Sequence, residues 1–395
     1  MQQQRLKYYI GDISAELLAK AYGLPLYVYG ADIIRAQFLK LRRSLPKGTS
    51  IYFACKANAN PEILKLLQKL GSSVECVSKE EVVAAMRAGF TADTVLYTCS
   101  YATTEELTYV LSKKIKINID SLGQLNKVGK MRPGSSVSIR INQGIGAGHH
   151  SHVITGGKDS KFGIYHTQIN DIKKVAHKYK LKINGLHKHI GSNVLDEKIL
   201  SKAAKVLLET AKHFPDIETV DFGGGLGIPY RPNEKRLDLI KFGKRLQLSL
   251  EKFAKELGRP IHAAVEPGRF LVAEAGVLLA QVTDIKKTPH KTFVGVNSGF
   301  NHLLRPAMYG AYHEIINASN LKGKKEKVTI VGNVCESGDI FGEGRLLSTP
   351  REGDILAILN AGAYGYTMSS NYNLRLRPAE VLVEGKKHRL IRKRQ

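Results

Sequence analysis

The chain has 395 residues, 43% apolar and 24% charged, a composition that excludes a mainly disordered or fibrous protein. Its 60 Lys+Arg against 35 Asp+Glu give a formal net charge of +25, but the lysine pairs are scattered and no basic stripe is interleaved with aromatics, so nucleic-acid binding is not expected. No uncharged apolar run approaches the ~18 residues of a membrane helix, the opening MQQQRLKYYIGDISAELL lacks a signal-peptide core, and Cys55, Cys76, Cys99 and Cys335 form no CxxC, so a reducing, cytoplasmic setting is expected, without a disulfide framework or structural zinc.

Short β-branched, apolar runs alternate with helical stretches. In chain order they are IYFACK (51–56), SVECVS (73–78), TVLYTC (94–99), IKINID (115–120), VSIRIN (137–142), INGLHKHIG (183–191), TVDFGG (219–224) and HAAVEP (262–267). Between the first two, PEILKLLQKLG carries Ile63, Leu66, Leu67 and Leu70 on one helical face, with Pro61 at its start and Gly71 past its end. EEVVAAMRAGF repeats the pattern, with Gly89 as terminator. Eight βα units predict an α/β fold, a (β/α)8 TIM-like barrel, over an open doubly wound sheet.

After about residue 270 the texture changes. GVLLAQVTDIKK, KTFVGVNSG, KVTIVGNV and DILAILNAGA read as strands with little helical periodicity. The expected organisation is an N-terminal segment, 1–25, packing on the β domain; a barrel, 26–270; and a β-rich C-terminal domain, 271–395. YVYG (27–30) reads as an additional strand.

Functional residues of a barrel gather at the C-terminal ends of its strands. Lys56 ends the first run, straight after five apolar or small residues. It is either emerging into solvent or a desolvated amine suited to Schiff-base chemistry. The sixth run ends in His187, Lys188, His189 and Ser192. The two histidines share a side if the strand continues, but no third ligand has metal-like spacing, and no metal is expected. His149, His150 and His152 read as a Gly-flanked surface loop. The seventh run enters Gly223-Gly224-Gly225-Leu226-Gly227, a tight turn or a backbone cradle for phosphate. GIGAG (144–148) precedes no helix, so it is not a dinucleotide fingerprint. The eighth run ends in Glu266-Pro267-Gly268-Arg269: a carboxylate suited to a protonated ring nitrogen and an arginine suited to a carboxylate, or a salt bridge between the two. Together they match what pyridoxal 5′-phosphate requires.

The chain resembles the fold type III pyridoxal-phosphate decarboxylases, and among them the diaminopimelate decarboxylase branch. The resemblance rests on LPLYVYG, YFACKANANPEIL, GGKDSKFGI, HKHIGSNV, FGGGLGIPY, EPGRFLVAEAG, LLRPAMYGAYHEI, CESGDIF and GAYGYTMSSNYNLRLRPAEVLV, spread over nearly the whole chain. It implies that Lys56 anchors the cofactor covalently and that His189 stacks on its ring. It implies that Gly223, Gly224, Gly225 and Gly268 hold the phosphate, with Ser192 and Tyr364, and that Glu266 binds the pyridine nitrogen. Arg269, Arg305 and Tyr309 would bind the substrate's distal carboxylate and Glu336 its distal ammonium, with Cys335 facing the reacting carbon. Arg269 and Tyr364 would thus serve both cofactor and substrate. In this family Cys335 and Glu336 serve the partner's site, which implies a homodimer with shared active sites.

The implied reaction converts meso-2,6-diaminopimelate, a diamino dicarboxylic acid, to L-lysine and CO₂, in lysine biosynthesis. The alternative is decarboxylation of a D-diamino acid such as D-lysine or D-ornithine. A non-catalytic homologue is disfavoured because both Lys56 and Cys335 are present. The sequence departs from the family's usual residues at Glu75, Lys188, Asn193, Asn297 and His302, which leaves room for an altered substrate.

Overall fold

A computed structural model of the chain describes residues 7–144, 146, 157 and 159–395. The three histidines at 149, 150 and 152, most of GIGAG and the start of GGKDSKFGI lie outside the described residues. The chain divides into two compact units. One comprises 37–228 and 235–270; the other comprises 1–36, 229–234 and 271–395.

The first unit is an eight-stranded parallel barrel. Its strands are β1 (Ser50–Ala54), β2 (Ser73–Cys76), β3 (Val95–Thr98), β4 (Lys116–Ile119), β5 (Ser136–Asn142), β6 (Lys182–His187), β7 (Thr219–Asp221) and β8 (His262–Val265). Each pairs in parallel with the next, and β8 returns to β1, so no edge is left open. Local chemistry sets the connections. After β1, the Asn58 side chain accepts from Asn60 N–H, and the Asn60 side chain accepts from Glu62 N–H at 3.0 Å, capping the helix Pro61–Lys69. That helix buries Ile63, Leu64, Leu66 and Leu67, while Leu70 forms its half-buried C-cap. Ser78 caps the next helix, Lys79–Arg87, and Gly89 follows it at φ +101°.

The second unit is a mostly antiparallel sheet. Its long strand Gly276–Lys287 pairs with Thr292–Val296, Ile355–Ile358 and Leu26–Gly30. Leu26–Gly30 lies inside the 26–270 segment expected to form the barrel. It instead runs parallel to Ala379–Glu384, within this sheet. Its five residues are all buried, so it reads in sequence like any inner strand. Ile10, Ile13, Ala15 and Leu18 of the N-terminal segment join Val28, Leu279, Ala357 and Val381 in one apolar cluster.

Candidate active site

Five barrel strands, β1, β2, β5, β6 and β8, deliver ionisable side chains to one region, at or just past their C-terminal ends. Lys56 stands in the turn Cys55–Ala57 after β1, where its Nζ lies 2.5 Å from Glu75 Oε2 of β2. Glu75 is 1% exposed and Lys56 side chain 37%. Burial pushes the Glu75 carboxyl up, and Lys56 pulls it back. Arg140 of β5 is buried, pairs with Asp120 at 3.2 Å and lies 4.6 Å from the Phe162 ring centre. His187 ends β6, and its Nε2 is 3.0 Å from Glu266 Oε2, past β8. Burial drives the His187 imidazole down, so it is neutral and donates to the glutamate. For Glu266, burial works toward protonation. His187, Lys56 and His189 outweigh it and hold the carboxyl well below its usual range.

Lys56, Glu75, Arg140, His187, His189 and Glu266 line one cavity of about 420 Å³, within the size range of small-ligand pockets. His189 is oriented by its neighbour strand: Gly224 N–H donates to its Nδ1 at 3.2 Å. Arg269 donates to Ser192 Oγ at 2.9 Å, while Glu266 meets His187.

The glycine run is tight for a reason additional to any ligand. A Cβ on Gly223 would stand 2.0 Å from the Lys188 carbonyl oxygen, and one on Gly224 would stand 2.4 Å from that of Glu266. The backbones that leave β6, β7 and β8 therefore touch here. Gly223 N–H is engaged by Asp221 Oδ1 at 2.7 Å and Gly224 N–H by His189, so neither amide is free to face a phosphate in this arrangement. Gly225 N–H has no partner among the described residues.

The remaining expected residues lie in the second unit. Arg305 is 1% exposed, with Nη1 2.8 Å from His313 Nε2 and its guanidinium 4.7 Å from the Tyr230 ring centre. Tyr309 ends the same short helix, Arg305–Tyr309. Tyr364 takes a left-handed φ of +57°. Asp339 holds the CESGD turn by accepting from Phe300 N–H (2.6 Å) and Val334 N–H (2.9 Å). Cys335 and Glu336 are exposed, and Glu336 accepts from Tyr372 O–H at 2.7 Å.

Sequence reasoning missed Glu75, Arg140 and Asp221 as site residues. The signal was present: each is a charged residue inside an apolar strand run, where an unpaired charge is costly.

The donor set fits pyridoxal phosphate. Glu266 Oε1 is buried without a hydrogen-bond partner, a waiting acceptor for a pyridinium N–H, in the cavity that also holds the Lys56 amine. Residues 31–273 match the family model for the pyridoxal-binding domain of pyridoxal-dependent decarboxylases. The chain is 42% identical to diaminopimelate decarboxylase of Methanothermobacter thermautotrophicus, over 98% of this chain and 92% of the relative. It is 36% identical to that of Escherichia coli K12, over 97% and 95%. The crystal structure of diaminopimelate decarboxylase from Helicobacter pylori complexed with L-lysine superposes with a TM-score of 0.89 at 33% identity, over 96% of each chain. Barrel, cavity and relatives agree: the chain belongs to the pyridoxal-dependent decarboxylases, enzymes that use pyridoxal 5′-phosphate, in their diaminopimelate decarboxylase branch.

Proposed function

We propose that the protein decarboxylates meso-2,6-diaminopimelate to L-lysine and CO₂, as the last step of lysine biosynthesis. The observation that carries this reading is the Lys56 amine in one cavity with His189 and a buried, ionised Glu266. Full-length similarity to diaminopimelate decarboxylases supports the choice of substrate.

Bound pyridoxal phosphate supplies an electron sink for the charge left on the substrate's α-carbon when CO₂ departs. Lys56 would hold the cofactor covalently. Glu266 would set its negative charge against the ring nitrogen, with His187 fixing the carboxylate from the other oxygen. His189 would cover a ring face. Ser192, Arg269 and the Gly225 amide are the donors proposed for the phosphate, with the backbone at Gly223, Gly224 and Gly268 and Tyr364 around it. Arg269, Arg305, Tyr309 and Tyr364 are proposed for the substrate's distal carboxylate and Glu336 for its distal ammonium. Cys335 Sγ is proposed to return the proton to the former α-carbon. We further propose a cytoplasmic homodimer in which Cys335 and Glu336 serve the partner's site. Mixed Lys56→Ala and Cys335→Ala chains should then regain part of the lost activity. Exchanged but dead mixtures would place each site within one subunit.

The deciding experiment is CO₂ release from meso-diaminopimelate, D-lysine and D-ornithine, with L-lysine identified as product. A higher kcat/KM on D-lysine or D-ornithine than on diaminopimelate overturns the substrate assignment. Arg305→Lys, which keeps the charge but loses the planar fork, should lower kcat/KM for diaminopimelate more than for D-lysine. An equal fall for both assigns Arg305 to the fold instead.

A further inference from the structure

Glu266 does not stand alone at the floor of the cavity. Asp221 ends β7, the neighbour of β8, and is 3% exposed. One oxygen from each carboxylate and one nitrogen of His187 lie within 4.8 Å of one another. Asp221 Oδ1 accepts from Gly223 N–H, and Glu266 Oε2 meets His187. The second oxygen of each acid, Asp221 Oδ2 and Glu266 Oε1, is buried without a hydrogen-bond partner. Two buried carboxylates this close cannot both ionise without mutual repulsion. A single proton between them removes that repulsion and supplies a missing donor.

We propose that Asp221 carries this proton and donates it to Glu266, so that Glu266 stays the carboxylate facing the pyridine nitrogen and Asp221 is the positioning residue behind it. The functional half of this inference rests on the reading of Glu266 given above.

The neighbours decide which acid keeps the proton. Glu266 shares its cavity with the cations Lys56 and Arg140 and accepts from His187. Asp221 has the carboxylates of Glu266 and Glu75 against it. Burial first, then Glu266, push its carboxyl well up. Lys188, buried and drawn down to about 8 by its burial, acts on both acids and more strongly on Asp221, but burial and the Glu266 charge prevail there. The Tyr52 phenol, pushed up by its burial, is neutral and does not choose between the acids. The cavities make the same division. Glu266 lines the cavity of Lys56. Asp221 lines a second cavity of about 200 Å³, shared with Asn118, Ser138, Thr219 and His262. Thr219 and His262 open β7 and β8, so this second cavity reaches the opposite end of the barrel from Lys56. The pair spans the two, and a proton can reach Asp221 without crossing the cofactor's cavity.

The test is the infrared carbonyl band of protonated carboxylic acid in the full-length holoenzyme at neutral pH. With aspartate carboxyls labelled by carbon-13, part of that band should shift, and the shifted part should be missing from Asp221→Asn. An aspartate-derived band that survives in Asp221→Asn, or no aspartate-derived band at all, overturns the proposal. Cofactor affinity of the apoprotein tests the positioning role. Asp221→Asn keeps a neutral donor in the same place and should bind like wild type, whereas Asp221→Ala should bind about tenfold weaker or more, by analogy with the loss of an outer-shell partner of a bound group. Equal binding by the two variants overturns the positioning role. Unchanged binding by Glu266→Gln overturns the pyridine reading of Glu266 and leaves the proton on Asp221 standing.

Discussion

Lys56 Nζ lies 2.5 Å from Glu75 Oε2, an ion pair with one half-exposed partner and one fully buried. The carboxylate comes from β2, and it fixes the amine that closes β1 at the cavity wall.

Glu75→Gln keeps the size of the side chain and a hydrogen-bonding group but removes the charge. Exposed pairs contribute about 0–1 kcal/mol, and removing one partner of a buried pair costs about 2–5 kcal/mol. Because Lys56 is partly solvated, a cost of about 1–2 kcal/mol is expected, which is roughly tenfold in rate. The rate of cofactor incorporation into apoprotein, followed by visible absorbance, should fall by about that factor. An unchanged rate would show that the amine needs no carboxylate to hold it.

Gly224→Ala puts a methyl group 2.4 Å from the Glu266 carbonyl oxygen, which belongs to backbone and cannot swing aside. Overpacking of this kind costs typically about 1–3 kcal/mol. The strain falls on the chain that carries Glu266 and on the Gly224–His189 bond, so cofactor retention should fall along with stability. Melting temperature and the cofactor content after dialysis report the two losses. A variant that melts and retains cofactor like wild type would show that β8 has slack here.

The barrel was legible because each strand run and helix pattern is local. Lys56 and Glu266 were legible because both follow apolar runs at positions where a barrel opens. Glu75 and Arg140 were not, because their meaning depends on neighbours 19 and 20 residues away, Lys56 and Asp120, that only the parallel register brings alongside. In sequence the glycine run reads as a tight turn or a phosphate cradle. Its crowding against the Lys188 and Glu266 carbonyl oxygens comes from β6 and β8, which are remote in sequence. Leu26–Gly30 falls within the segment expected for the barrel because an apolar run of five residues does not record which sheet it joins.

Arg140 and Asp120 form a second buried pair, with side chains 9% and 4% exposed. Gly163 N–H also donates to Asp120 Oδ1, at 3.1 Å. Asp120→Ala leaves Arg140 without its carboxylate and Gly163 without its acceptor, and breaking such a pair costs about 3–5 kcal/mol. Chemical denaturation should register that loss. The double variant Asp120→Leu/Arg140→Met should recover part of it, since no charge is then stranded. Additive losses would mean that the pair is uncoupled.

His302 gives the β-rich unit a pH dependence of known sign. The ring is 2% exposed, with Nδ1 3.1 Å from Ser298 Oγ and Nε2 3.1 Å from the Leu376 carbonyl oxygen. The carbonyl can only accept, so Nε2 carries the hydrogen and Nδ1 accepts from the serine. Burial, with Arg394, Arg375 and Arg377 nearby, outweighs the Leu376 hydrogen bond and draws the imidazole down from 6.5 to about 4. The unfolded chain therefore takes up a proton below pH 6.5 that the folded chain refuses until about pH 4. Stability from this group is fully present above pH 6.5 and is lost as pH falls through that window, by up to ~3 kcal/mol. His302→Gln removes the titrating group while keeping a donor and an acceptor. Its melting temperature should be lower than wild type at pH 7.5, and the gap should narrow or close at pH 5. Parallel melting curves for the two proteins across this range would show that His302 is not the group that titrates.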